Sequence, residues 1–592
     1  MNRRHTWAAA AALALLGGAL APAGEAWAGG ERFIARAGSA EELAARRAAL
    51  VASGAEIVKE IPELNLLVVV GGTAAPSLRS APGGTDLIPD RITRISPPDG
   101  AVARQERPGL LSARRIELPG AAQGGIRPDP AFGYRGLLWN YQRIGLPEGW
   151  EVSAGNRAVT VGVADTGLDF THVDLKPSIV AVKDFTLDDR PSACEAFLGK
   201  SAYTDRELAA KYGGPVSTDW NGHGSWIGGN IAAALNGTGI NGIAPKAKLV
   251  SLKIAENCGY AYDSDILDSF TWAARNGVDI VSISFGGYVD RRDPDQDAIY
   301  DLYLRAVDFA RARGTVVVAA AGNEHLRLGA GGKVLSHGPL TTPGTSRDDF
   351  FDYFGLYETP GGIPGVVAVS STGNRVIPSS AGCAPGTIGT AADYGDTATC
   401  KPRGDRHQAA GQGLADQLAY YSNYGPRVDV AAPGGARKFN LPYWDRGGTP
   451  GFPYVTADLT KVWEEFSTTS NWATEIPCFT FAKGTGFTPD QCYSSIQGTS
   501  MATPHVSAVL ALIASARPAL RGKPDRLVAA LKASTRGARN LTQVLSASDR
   551  SKGDLGGPAC DSGYCHLGGP AVSNADAYGA GIVVAPQRSP TS

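Results

Sequence analysis

Ala158-Val159-Thr160-Val161-Gly162-Val163-Ala164 is an uncharged run with β-branched side chains at residues 159, 160, 161 and 163, and it ends on Asp165-Thr166-Gly167. A short apolar run that does not alternate with polar residues reads as a strand buried on both faces. Four further runs share this texture, Lys248 to Ile254, Val278 to Ile283, Thr315 to Ala320 and Val366 to Ser370, with helical patterns between them. Together they predict an α/β fold, a mostly parallel sheet covered by helices. Reactive groups in such folds sit at the carboxyl ends of the strands. The polar residues that follow these runs are therefore the candidates for chemistry.

Upstream the texture changes. Arg32 to Ala35 reads as a strand, Ser39 as a helix N-cap with Glu42 completing a capping box, and Gly54 as the stop of a helix reaching about Ser53. Ala55 to Ile61 and Leu64 to Val70 read as two strands separated by Pro62. These form a small α+β unit within residues 29–100. From Pro97 to Pro130 the chain is rich in Pro, Gly, Ala and Arg without periodicity, so 101–134 reads as a linker exposed to proteolysis. The large unit is expected over 135–585, with 586–592 as a C-terminal tail. Residues 1–28 carry Arg3 and Arg4, an apolar run from about Trp7 to Ala21 and the triplet Ala26-Trp27-Ala28, the pattern of a cleavable export signal. That run is too short, and too broken by Gly17 and Gly18, to cross a bilayer. No later stretch reads as a span, so none is expected after signal removal.

The 592 residues are 43% hydrophobic and 19% charged, the balance of a globular protein rather than a disordered chain. With 56 basic against 57 acidic residues the net charge is −1, which excludes a global attraction to nucleic acid or to an anionic membrane. Eight cysteines, Cys194, Cys258, Cys383, Cys400, Cys478, Cys492, Cys560 and Cys565, all follow the export signal. An even count in an oxidising compartment points to disulfides, with pairing of sequence neighbours the simplest arrangement. Zinc is the competing reading, but no Cys-x-x-Cys pair is present.

Three polar clusters stand at strand ends or helix starts. Asp165-Thr166-Gly167 follows the first strand, Asn221-Gly222-His223-Gly224-Ser225 precedes an apolar helical run, and Gly498-Thr499-Ser500-Met501-Ala502-Thr503-Pro504-His505 opens a helix with Pro504 in its first turn. Each alone has a structural reading, since an aspartate after a strand is commonly a turn residue and a lone histidine commonly packs. Together they supply what nucleophilic catalysis needs: a hydroxyl, an imidazole to take its proton and a carboxylate to fix the imidazole tautomer. The order Asp, His, Ser differs from two other arrangements of the same groups on unrelated folds.

These segments, with Ala319-Ala320-Ala321-Gly322-Asn323, Tyr421 to Gly425 and Ala432-Pro433-Gly434, resemble the subtilisin-like serine peptidase family over roughly residues 135 to 585. The resemblance implies a three-layer sandwich and a secreted or, alternatively, periplasmic monomeric endopeptidase acting on proteins or peptides. Asp165 would orient the imidazole, His223 would be the base, Ser500 the nucleophile and Asn323 the oxyanion-hole side chain. Residues 29–100 would be an inhibitory propeptide. Ser284-Phe285-Gly286 and Ala320-Ala321-Gly322 match the two walls that hold the side chain before the cleaved bond, with Phe285 either narrowing that pocket or packing in the core. His505, five residues along the helix from Ser500, lies on another face and would be structural.

The pattern departs from the family at Trp226, where histidine is usual, and at Val173, where proline is usual. The loop Leu235 to Asn241 is shorter than the family's calcium-binding form. Asp174 therefore reads as a surface carboxylate, with a structural calcium ligand as the alternative; catalysis requires no cofactor. Leu326 to Gly365, Gly373 to Tyr420 and Gly435 to Ser495 hold insertions, read as disulfide-pinned surface loops or as loops lining the cleft. Two other functions remain in view: a narrow processing peptidase or peptide ligase with the same triad, and a noncatalytic secreted binding protein on the same scaffold.

Overall fold

The computed structural model describes residues 31–71, 87–95, 129, 138–199, 202–337, 353–373, 416–419, 421–435, 465–473, 475–476, 478, 487–489, 491–540, 542, 544 and 570–588. The export signal, most of the linker and Cys383, Cys400, Cys560 and Cys565 lie outside these residues.

The small unit comprises β1 (Glu31–Arg36), α1 (Ala40–Ala52), β2 (Glu56–Ile61), β3 (Leu66–Gly71) and β4 (Leu87–Pro89), the strands paired in the order β2-β3-β1-β4. Ser39 caps α1 by accepting the Glu42 N–H, but the Glu42 carboxylate accepts from Gly38 rather than Ser39, so the expected capping box is displaced by one residue. Alternate residues of its sheet bury two faces. Phe33, Ala35, Leu67 and Val69 pack with Leu43 and Leu50 of α1. Ile34, Leu66 and Ile88 join a core shared with the large unit. The chain then forms β5 (Ile92–Ile95), which pairs outside this sheet.

In the large unit the five apolar runs become β6 (Thr160–Asp165), β8 (Lys248–Lys253), β10 (Ile280–Ile283), β12 (Val316–Ala320) and β14 (Val367–Gly373). With β7 (Ile179–Asp184) and β16 (Val430–Pro433) they pair in parallel in the order β16-β14-β12-β10-β6-β8-β7. Val161, Val163, Val316, Val318, Val367 and Val369 face one helical layer, α2 (His223–Ala232) and α5 (Thr499–Ala516). Ala164, Leu252, Val281, Val317 and Ala319 face the other, α3 (Asp263–Arg275) and α4 (Pro294–Ala312). This is the expected three-layer α/β sandwich.

Helix α5 is apolar and, at 18 residues, long enough to meet the length of a membrane span, contrary to the sequence reading, but 89% of it is buried in the protein. Pro504 lies in its second turn rather than its first. Two disulfides join sequence neighbours as expected, Cys194–Cys258 and Cys478–Cys492.

The two units meet through charge as well as apolar packing. Arg32, in β1, is buried and ion-paired with Asp90 (2.7 Å), with Asp265 (3.2 Å) and with Asp189, and its guanidinium lies 4.0 Å from the Tyr262 ring centre. Lys59 bonds Asp265 and the Phe185 carbonyl. Strand β5 runs antiparallel between two strands of the large unit, β9 (Tyr260–Tyr262) and β11 (Phe285–Val289).

Candidate active site

Asp165 is the last residue of β6 and His223 the first of α2. Their side chains meet, His223 Nδ1 lying 2.8 Å from Asp165 Oδ1. The same oxygen accepts the Thr166 N–H at 2.8 Å. Gly224 lets the two segments approach this closely, since a Cβ there would stand 2.1 Å from the Gly167 carbonyl oxygen. Both side chains are buried.

A second carboxylate builds the start of α2 and was not singled out from sequence. Asp219 accepts from the N–H groups of Asn221 (3.1 Å), Gly222 (2.8 Å) and Ser225 (2.7 Å) and from the Thr166 hydroxyl (2.9 Å). The Thr166 Oγ1 in turn accepts the Gly224 N–H. An acceptor four residues ahead of a histidine that opens a helix was its one sequence signal. Behind Thr166 lies Lys253, fully buried, donating to the Thr166 carbonyl at 2.6 Å and paired with Asp205 at 2.8 Å. Burial lowers the Lys253 pKa, but Asp205 and Asp184 outweigh it and the ammonium is held charged.

Ser500 sits in the first turn of α5. Its hydroxyl donates to the Ser284 carbonyl (3.4 Å), and the Ser284 hydroxyl donates to the Ser500 carbonyl (3.1 Å). Pro504 has no N–H to offer that carbonyl, which leaves it to Ser284. The structure thus joins Asp165 to His223 but turns Ser500 towards Ser284, and His223 Nε2 has no hydrogen-bond partner. Contacts of this kind commonly tighten only when substrate binds.

Asn323 Oδ1 accepts from the Thr499 N–H (2.9 Å) and hydroxyl (2.7 Å), so its side chain is fixed at the mouth of the Ser500 helix with the amide nitrogen left to donate elsewhere. Ala320 ends β12. Asn423 holds the following turn by donating from Nδ2 to the Ala321 carbonyl (2.7 Å) and from its N–H to the Gly322 carbonyl (3.0 Å). Across from it, Gly286 and Phe285 pair with Arg94 and Ile95 of β5. The Phe285 side chain is fully buried in the core, which decides between its two readings. Trp226 packs in the other core and donates to the Ser494 carbonyl.

His505 is buried beside Asn140, 2.9 Å from Nε2, and the Met501 carbonyl, 2.8 Å from Nδ1. Burial pushes its pKa down to about 3, so it is a neutral structural group.

Asp174 is not the surface carboxylate expected: it is fully buried. Oδ1 accepts from Asn236 Nδ2 (2.9 Å), and Oδ2 from the Ile240 N–H (3.2 Å) and the Tyr493 hydroxyl (2.8 Å). Asp129 takes the Asn236 and Gly237 N–H groups. Calcium needs several free oxygens, and here the loop turns N–H donors onto both carboxylates. A calcium ion does not fit this donor set, and no cluster of three metal-ligating side chains occurs among the described residues.

The third insertion contributes a hairpin, β17 (Glu465–Thr468) and β18 (Tyr493–Ile496), beside α2. Hydroxyls of Ser467, Thr468 and Thr469 donate to the carbonyls of Trp226 (3.0 Å), Ser225 (2.9 Å) and Gly222 (2.9 Å). Polar side chains in an insertion gave no sequence hint of this contact.

A model of the subtilase family matches residues 156–564. Thermitase from Thermoactinomyces vulgaris is 25% identical over 389 residues, covering 65% of this chain and 85% of that protein. Subtilisin DY from Bacillus licheniformis is 33% identical over 165 residues, 28% of this chain and 47% of the relative. Among solved structures, the epidermin leader peptide processing serine protease of Staphylococcus aureus aligns with a TM-score of 0.53 at 16% identity, over 94% of this chain and 98% of that one. Fervidolysin from Fervidobacterium pennivorans aligns at 0.51 and 18% identity, over 94% and 60%. The family match, spanning well over half of the sequence and the segments that carry Asp165, His223 and Ser500, leads to one conclusion: the chain belongs to the subtilase family and is a serine peptidase.

Proposed function

We propose that the protein is an exported endopeptidase that cleaves proteins through an acyl-enzyme on Ser500. The observation that carries this reading is the Asp165–His223 bond at the carboxyl end of β6, beside the helix whose first turn holds Ser500. In the reaction the Ser500 hydroxyl turns from Ser284 to His223 Nε2 and gives up its proton as Oγ bonds the scissile carbonyl carbon. Asp165, accepting from Nδ1–H, stabilises the imidazolium. The Asn323 amide and the Ser500 N–H receive the oxyanion, a contribution of roughly 10²–10³ in rate per donor. Collapse breaks the C–N bond, and His223 returns the proton to the leaving amine. Water, deprotonated by His223, then releases the acid and restores Ser500.

Residues 29–100 act as the inhibitor in this reading, because β5 occupies the backbone edge of β11 that an extended substrate would pair with. Export is supported by residues 1–28 and by two disulfides. The experiment is labelling of the secreted protein with a serine-directed phosphonate after removal of the first unit, alongside digestion of an unstructured protein. Labelling lost in Ser500→Ala and many internal cuts support the reading. A single cut or joined termini point to the processing or ligase alternative, and no labelling to a binding protein.

A further inference from the structure

Two backbone walls flank the space in front of Ser500. One is Ser284 to Gly286, bonded to Ser500 through Ser284, and the other is Ala320 to Gly322, fixed to the Ser500 helix through Asn323. Behind the first wall lies β13 (Tyr357–Thr359), paired antiparallel with β11 so that Glu358 stands opposite Tyr288 and Thr359 opposite Gly287. Glu358 is 1% exposed, and no side-chain donor reaches either carboxyl oxygen; of the donors, only the Gly361 and Gly362 backbone N–H groups bear on it. Its side chain reaches towards the second wall. The space a Cβ on Gly361 would take lies 2.4 Å from the Ala320 carbonyl oxygen and 2.9 Å from Glu358 Oε2.

No protein cation answers this carboxyl. Arg427 bears on it electrostatically, but Nε donates to Gly362 O, Nη1 to Asp429, and Nη2 to Ile363 O and Val366 O. A second acid stands at the other wall. Glu324 Oε2 lies 2.8 Å from where a Gly322 Cβ would be, and already accepts from the Tyr288 hydroxyl (2.6 Å), the Asn323 N–H (2.9 Å) and Asn423 Nδ2 (3.3 Å). Burial pushes the Glu358 carboxyl well up, and Glu324 adds to this.

A buried carboxylate that no cation pairs is costly unless a ligand supplies one. We propose that the cleft selects substrates with lysine or arginine immediately before the cleaved bond, and that Glu358 makes this selection by pairing with the cationic side chain. The ammonium or guanidinium brings the counter-charge that Glu358 lacks, and a neutral side chain leaves it unpaired. Sites built to hydrogen-bond a substrate group reject analogues without it far more strongly than apolar pockets discriminate by size. The proposal rests on Ser500 as the nucleophile and deepens that reading.

The test is a set of quenched-fluorescent peptides that differ only at the residue before the cleaved bond, hydrolysed by the mature enzyme. Lysine and arginine are expected to exceed norleucine and glutamine in kcat/KM by on the order of 100-fold. In Glu358→Gln that ratio should fall by at least about tenfold. Equal or better cleavage after neutral residues by the wild-type enzyme overturns the proposal without any variant, and an unchanged ratio in a folded Glu358→Gln overturns the role of Glu358. Either result leaves phosphonate labelling of Ser500 intact. Loss of both turnover and labelling overturns the nucleophile assignment and this proposal with it.

Discussion

Asp416→Asn is expected to cost about 3–5 kcal/mol of stability at neutral pH. Asp416 is buried, at φ 61°, where the chain returns from the second insertion. It accepts from Arg143 Nε at 2.9 Å and from Nη2 of the same guanidinium, and from Arg536 Nη1 at 2.8 Å. Arg143 is 3% exposed, so the amide would leave a buried cation without its counter-charge, the situation in which removing one partner of a buried pair costs the most. With a urea slope of about 3 kcal/mol/M the midpoint should move down by roughly 1 M or more. The two arginines hold the Asp416 carboxyl below its ordinary value although burial opposes them. A depressed folded pKa gives stability that is present above the unfolded pKa of about 3.9 and lost as pH falls through the folded value. The gap between wild type and variant should therefore be constant from neutral pH to about 5 and close below about 4. Urea unfolding on a Ser500→Ala background, which prevents self-digestion, measures both quantities. A loss under 1 kcal/mol, or a gap that persists undiminished at the lowest pH where the protein folds, would refute the reasoning.

Arg32→Met removes the cation shared by Asp90, Asp189 and Asp265; the lag before activity in a purified precursor should shorten several-fold, and an unchanged lag would count against the inhibitory contact. Thr469→Val withdraws the hydroxyl from the carbonyl next to His223, a bond worth about 1 kcal/mol; kcat should fall several-fold with KM little changed and return in Thr469→Ser, and failure of serine to restore it would argue for a packing role alone. Replacing Cys194 and Cys258 by serine opens a loop of 64 residues and should lower stability by about 4 kcal/mol, read as the shift in urea midpoint of the inactive variant. His505→Gln should leave the acid limb of the kcat/KM profile in place, because His505 stays neutral down to about pH 3; a displaced limb would reopen the choice of base.

The sheet and the Asp165–His223 pair were legible because their signals are local. An apolar run such as Val316 to Ala320 has no other sensible placement than a buried strand, and Asp165, His223 and Ser500 each sit at the end of such a run or the start of a helix. The contacts that refine the site come from residues whose neighbours are far along the chain. Glu358 is one acid among many in a long insertion until β13 pairs with β11, some 70 residues earlier in sequence. Asp174 reads as a surface residue because nothing local announces that Asn236, Ile240 and Tyr493 converge on it. The Ser467 to Thr469 hydroxyls are likewise ordinary loop residues until a hairpin lays them along α2.

Strand β5 has neighbours from the large unit on both edges, and the unit that carries it is anchored through buried Arg32. Cutting the linker breaks none of these bonds. If the first unit inhibits as proposed, a nicked chain is expected to remain a silent two-part complex, with activity appearing on a second clock set by how fast that unit dissociates or is itself digested. Dilution and added protease, rather than the cut alone, would then decide when the enzyme begins to work.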